Sequence, residues 1–317
     1  RALRQRPPEY PWGDVLPVLR LADGVVLNLE CVLSDYGEPW PRKVFTFRSD
    51  LRNVECLQRA GVTAVSLANN HALDYGSEAL SECLSTLAER GIGVAGAGES
   101  LDAARRPAVF PLGSLHAALV AFTDNEPEWE ARGSTPGTFY APVDPGDGRF
   151  AVLLDVIRET RSRADLVVVS AHWGSNWGDD PPASHVEAGR SMIDAGADVV
   201  FGHSAHVFRG IEFHREKPIL YSCGDFVDDY AVDEVDRNAQ SFVFCLDYDR
   251  TTLRRVFLVP TVIRNFQARV AKGRDRFETI ARMQNLCAAL GTTGFREVDA
   301  GLEVVPPARA AELAGAP

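Results

Sequence analysis

Short runs of aliphatic and β-branched residues alternate along this chain with stretches in which apolar positions recur every three or four residues. The runs GVVLNLECV (24–32), VTAVSLA (62–68), AALVAF (117–122), LVVVS (166–170) and DVVF (198–201) are short and bounded by turn residues. They predict buried strands. Residues 51–60, LRNVECLQRA, predict a helix with Asp50 as N-cap and Gly61 beyond its end. In SEALSECLSTLAER (77–90), Leu80, Cys83, Leu84, Leu87 and Ala88 share one helical face, with Ser77 as cap and Gly91 as stop. Ser184 and Glu187 have the spacing of a capping box for the helix SHVEAGRSMIDAG, and Gly196 suits its C′ position. The alternation of strands and helices predicts an α/β fold built from βαβ units around a largely buried sheet.

After residue 219 the pattern changes. ILYS, SFVFCLDY and LRRVFLVPTVI read as strands joined by turns, a second sheet or antiparallel edge strands, and a helix follows near 274–290. The predicted division is a main domain over 1–265 and a helical extension over 266–317. GIGVAG (91–96) fits the G-x-G-x-x-G template, but a helix precedes it and a strand follows. That is the reverse of the order in which a helix N-terminus meets a dinucleotide phosphate.

Composition narrows the partners. The 317 residues carry 33 Lys+Arg against 44 Asp+Glu, a net charge of −11, which leaves no broad basic surface for a nucleic-acid backbone. An anionic substrate has to be held locally, by metal ions or a few arginines. The six cysteines form no Cys-x-x-Cys pair and lie in apolar contexts, so they read as small hydrophobes and lean towards a reducing compartment. No run reaches the ~18 apolar residues of a membrane helix. RALRQRPPEYPW is too polar for a signal peptide, and because the chain starts with Arg, targeting by an upstream segment stays open.

Candidate chemistry gathers where the predicted strands end, the edge of an open α/β sheet at which ligands bind. The ends carry Asn28 and Glu30, then Asn69, Asn70 and His71, then His172, then His203 and His206. Any one of these is commonly a turn residue, a cap or a satisfied core histidine. Together, imidazole, amide oxygen and carboxylate at one end of a sheet suit a divalent ion such as Mn, Fe or Zn. Two ions a few ångströms apart, serving hydrolysis, are the natural use of such a set.

The stretches NLECVL, VSLANNHALDYG, AGAGES, VVVSAHWGSN, IDAGADVVFGHSAHVFRGIE and ILYSCGDFVDDY resemble, in order, the motifs of the CapA-type poly-γ-glutamate capsule biosynthesis family, over about residues 10–245. The resemblance implies a metallophosphatase-like layered fold with central β-sheets flanked by helices. It also implies Asn70 as a metal ligand, His71 as the catalytic proton donor or charge stabiliser, and His172, His203 and His206 as further ligands. Glu30 would stand in for a bridging aspartate. The Gly-Asp strand that normally supplies one more ligand does not precede Tyr10, so it lies upstream or the site has one ligand fewer.

Two departures weigh against equating this chain with a phosphatase: GHSAH in place of Gly-His-x-His, and SCGDF, which puts Asp225 where Asn is usual. Trp173 and Asn176 are expected to line a substrate pocket, and Arg42, Arg48 and Arg209 are expected clamps for carboxylate or phosphate. Asp225, with Asp228 and Asp229, belongs to a substrate-facing or histidine-orienting acidic loop, whereas His116, His185 and His214 are read as structural. Two functions follow. One is a metal-dependent hydrolase or transferase acting on a phosphoester or γ-glutamyl amide of a small-molecule or glutamyl-peptide substrate. The other is a non-catalytic capsule-assembly component that binds polyglutamate.

Overall fold

The computed structural model describes residues 2–228, 235 and 237–314. Strands β1 (Val25–Asn28), β2 (Val62–Ser66) and β3 (Gly93–Ala95) form a three-stranded parallel sheet in that order. A second, six-stranded sheet is built from β4 (Ala108–Leu112), β5 (Leu115–Thr123), β6 (Leu166–His172), β7 (Val199–His203), β8 (Ile211–His214) and β9 (Lys217–Leu220). Its order is β8-β9-β7-β6-β5-β4, with β5, β6, β7 and β9 parallel and an antiparallel strand at each edge. Strands covered on both faces read as continuous apolar runs, which is why LVVVS shows no alternation.

Helices cover these sheets. α1 (Val54–Arg59) and α2 (Gly76–Glu89) share a core with the first sheet, where Leu57, Leu80, Cys83 and Leu87 meet Val62 and Val65. The second sheet is covered by α3 (Gly148–Arg161) and α4 (Ala183–Ala195), through Phe150, Leu153, Ile157, Met192 and Ile193. The layered α/β class is therefore the one the pattern predicted. Local details differ. α2 starts one residue before Ser77, so that serine does not cap it, and Ala88 is exposed near the helix end. α4 starts at Ala183 after Pro182, which puts Ser184 inside the first turn and leaves no capping box. Asp50 precedes a 3-10 turn, and its carboxylate takes two hydrogen bonds from Arg4 instead of capping.

The two sheets meet through small side chains. Ala64, Ala68, Ala95, Ala117 and Ala121 form the interface with Phe110, Leu119 and Leu166. At Gly96 (φ +85°) an added Cβ would lie 2.4 Å from Ala68 Cβ and 2.9 Å from that of Ala121. Glycine is required there by a close passage of the chain between sheets, not by a phosphate.

The C-terminal third forms an antiparallel sheet from β10 (Gln240–Asp249), β11 (Thr252–Arg264), β12 (Gln267–Val270), β13 (Phe295–Val298) and β14 (Gly301–Val304). α5 (Gly273–Ala289) buries Ile280, Met283 and Cys287 against Phe208, Ile211 and Leu258. A final helix, α6, spans Pro307–Ala314. The segment after 265 is thus not a purely helical extension. It contributes β12, β13 and β14, and both β12 and β14 pair with β11. Four-residue strands carry too little periodicity to show in the sequence. The six cysteines are free, and no helix among the described residues is long and apolar enough to cross a membrane.

Candidate metal centre

Parallel pairing brings the site together. β6 and β7 run in register, with His172 opposite His203 at their last positions. Neighbouring strands lie about 4.8 Å apart, so two imidazoles leaving the same rim must meet. Their Nδ1 atoms are 2.7 Å apart, and Ser170 Oγ is 2.7 Å from His203 Nε2, fixing the ring from behind. From the first sheet, the chain leaving β1 delivers Glu30, whose Oε2 is 4.0 Å from His172 Nδ1. One ligand atom from each of Glu30, His172 and His203 lies within 4.8 Å of the others.

Amide side chains hold Glu30 in place. Asn28 Nδ2 donates to Glu30 Oε2 at 2.8 Å, while Asn28 Oδ1 accepts from Asn69 Nδ2 at 2.9 Å. Asn69 has no exposed surface; it donates also to the Leu29 carbonyl and accepts the His71 N–H. The first Asn of ANNH therefore stitches the ends of β1 and β2. The second, Asn70, has its Oδ1 buried without a hydrogen-bond partner among the described residues.

Glu30 Oε1 and His172 Nε2 are likewise buried without a partner among the described residues, a costly state for polar atoms. Burial pushes the Glu30 carboxyl up to about 7, opposed by the charge of His206. Burial lowers His203 to about 3 and, together with the neighbouring His203, holds His172 well below the ordinary value. Neutral imidazoles and a carboxylate short of positive charge are a donor set that fits a borderline divalent ion.

Beside this group His71, 5% exposed, directs Nδ1 at Asp74 Oδ2 across 2.6 Å. Asp74 is fully buried and accepts also from the Phe47 N–H and, at 2.7 Å, from Lys43 Nζ. Lys43 donates further to the Asn70 carbonyl and lies 4.3 Å from the centre of the Trp129 ring. Phe47 stacks on the His71 ring at 4.1 Å. Burial lowers the His71 pKa, although the Asp74 hydrogen bond works against it. Neither Asp74 nor Lys43 ends a predicted strand, the feature that marks the other site residues in the sequence. The only signal was an acid three residues after the histidine in NHALD.

Other expected site residues are placed differently. His206 is not in the group with Glu30, His172 and His203. Its Nδ1 pairs with Asp225 Oδ1 at 2.9 Å, and although burial opposes its charge, Asp225 and Glu30 raise it to about 9. Asp225 holds His206, and its second oxygen accepts from Asn238 at 3.2 Å. Trp173 has no exposed surface: it donates to the Tyr221 carbonyl and stacks on His185, so it packs the core and does not line a pocket. Gly202 permits that packing, because a Cβ there would lie 2.5 Å from Trp173 Nε1.

Arg209 is 4% exposed and donates to the carbonyls of Trp177 and Gly178. Arg48 donates to the carbonyls of Tyr36 and Gly37 and lies over the Tyr75 ring. Neither guanidinium faces the metal group. Asn176 is exposed in the loop after β6, Arg42 is exposed with φ +70°, and Asp229 lies outside the described residues.

The rim loops are strained. Glu126, Trp177, Ser204 and His206 have φ of +51°, +69°, +100° and +59°. Positive φ at Arg215, Glu216, Asn265 and Phe266 falls in two-residue hairpin loops, where it is the rule. At the rim no hairpin asks for it, and strain of this kind clusters at functional sites.

Curated relatives align with about two thirds of this chain. A probable polyglutamine synthesis accessory protein of Mycobacterium tuberculosis is 40% identical over 230 residues, covering 70% of this chain and 60% of that protein. The PGA biosynthesis protein CapA of Bacillus subtilis is 33% identical over 219 residues, covering 68% of this chain and 56% of its own length. The capsule biosynthesis protein CapA of Bacillus anthracis is 29% identical over 230 residues, covering 70% and 54% respectively. The chain thus spans little more than half the length of these relatives. Among solved structures, one described as a novel phosphatase from Mycoplasma pneumoniae aligns at 14% identity with a TM-score of 0.43, covering 67% of this chain and 64% of that one. The model of the bacterial capsule synthesis protein PGA_cap family matches residues 1–230, and the chain belongs to that family.

Proposed function

We propose that this protein is a metal-dependent hydrolase or transferase that acts on γ-glutamyl amide linkages in the service of poly-γ-glutamate synthesis. The observation that carries the reading is the convergence of Glu30, His172 and His203, with unpartnered buried atoms on Glu30 and His172, beside the His71–Asp74 pair. When bound, a divalent ion at these residues supplies Lewis-acid polarisation of a carbonyl and a more acidic water. Asn70 and His206, on the flanking loops, are the groups that remain for a second ion.

The chain's own residues do the rest. Ser170 fixes the His203 ring and Asn28 fixes Glu30, so the donors are set before substrate arrives. His71, its pKa lowered by burial, is neutral at neutral pH. With Nδ1–H held on Asp74, Nε2 is the nitrogen that accepts a proton and returns it to the leaving amine. Asp74 keeps that tautomer in place, and Lys43 neutralises Asp74 from the other side.

An amide is favoured over a phosphoester because two of the three guanidinium forks expected to clamp phosphate, Arg48 and Arg209, are engaged with loop carbonyls. The names of the relatives point the same way. Incubation of the manganese-loaded protein with a synthetic γ-glutamyl oligomer, followed by mass spectrometry, tests it. Shortened or transferred chains that disappear in His71→Ala are expected. An unchanged oligomer alongside hydrolysis of an aryl phosphate would overturn the amide assignment.

A further inference from the structure

Trp177 is an exposed aromatic that the site leaves unexplained. The residue is 36% exposed, and its ring is tilted against His206 with centroids 5.7 Å apart. Its backbone is held at φ +69°, a conformation that a bulky side chain adopts only when the surroundings impose it. Those surroundings are specific. The Trp177 N–H donates to the Ala205 carbonyl at 2.9 Å, inside the GHSAH loop, and its carbonyl accepts from Arg209 Nη2 at 2.9 Å. Arg209 Nε takes the next carbonyl, that of Gly178, at 2.9 Å. A guanidinium that is 4% exposed is thus devoted to the carbonyls of one short strained turn, a costly burial that serves to fix where the indole stands. Val44 and Phe45, 82% and 48% exposed, lie between Lys43 and Phe47, the two residues that anchor their loop at the Asp74–His71 pair.

We propose that Trp177 is a substrate-contacting platform, packing its indole face on the methylene and amide backbone of a γ-glutamyl chain whose reacting linkage lies at the metal group, and that Arg209 is the positioning residue that sets it. This rests on the γ-glutamyl reading above. The charge distribution supports it: Asp179 and Asp180 lie close enough to Arg209 for their charges to act on it, and Asp225 is on His206. A protein of net charge −11 with acids at this edge cannot hold a polyanion by its carboxylates. Between its carboxylates such a polymer offers methylenes and flat amides, and those are what an indole face binds.

The test measures binding of a fluorescent γ-glutamyl oligomer to the manganese-loaded full chain by anisotropy, with manganese content recorded for each variant. Trp177→Ala is expected to weaken binding about tenfold, more than most contact residues cost on truncation, while Trp177→Phe retains most of it. Arg209→Lys is expected to weaken binding several-fold with manganese content unchanged, a split that general unfolding would not produce. Should the unmodified protein bind the oligomer and Trp177→Ala bind it equally well, the platform is overturned and the substrate reading stands. Should the unmodified protein fail to bind the oligomer, both are overturned.

Discussion

His172 and His203 face each other in register at the ends of neighbouring parallel strands, with their Nδ1 atoms 2.7 Å apart. Two buried rings at that distance cannot both carry a proton on Nδ1. Burial lowers both pKa values, and Ser170 occupies the far nitrogen of one ring. The pair is a prearranged set of nitrogen donors, with Glu30 as its oxygen partner.

Ser170→Ala removes the group that holds His203 Nε2 without touching any donor atom. Loss of such an orienting partner typically costs ten- to a hundredfold in metal affinity. A manganese titration followed by calorimetry is expected to show a drop of about that size. Unchanged affinity would mean that the His203 ring is set by packing alone.

Asp74→Ala leaves Lys43 half-buried beside His71 with its main counter-ion gone. Removing one partner of a buried pair costs about 3 kcal/mol or more, and urea unfolding is expected to show a loss of that order. Asp74→Asn keeps the shape but not the charge. It is expected to cost less stability while still abolishing any turnover that depends on His71.

His185 predicts a pH effect away from the metal group. Its ring is 4% exposed and stacked on Trp173, and burial, aided by the charge of Arg209, lowers its pKa from 6.5 to about 4. A depressed folded-state pKa means the unfolded chain binds the proton first. The contribution is therefore present above pH 6.5 and is lost as pH falls through about 4. Its size is on the order of 3 kcal/mol. His185→Phe, which keeps the stacking, is expected to flatten the stability profile in that window, and an unchanged slope would assign the acid sensitivity to other groups.

Residue type and strand-end position made much of this site legible. Glu30, His172 and His203 stand out because imidazole and carboxylate end apolar runs, and parallel register does the rest. What sequence could not show is which face a residue leaves by. Trp173 follows His172 directly, yet points into the core under Tyr221, and Arg209 turns back onto a loop carbonyl instead of reaching outward. Asp74 was hidden because its partner is set by a tight turn, not by helix or strand periodicity. The short strands β13 and β14 were hidden because pairing with β11, a tertiary relationship, is what makes them strands.

Metal content tests the central claim most directly. Protein purified without chelator and loaded with manganese is expected to retain bound metal, measured by inductively coupled plasma mass spectrometry. Metal is expected to raise the melting temperature, and both effects should be lost in His203→Ala and strongly reduced in Glu30→Gln. A folded wild-type protein that holds no metal and gains no stability from manganese, iron or zinc would contradict the account.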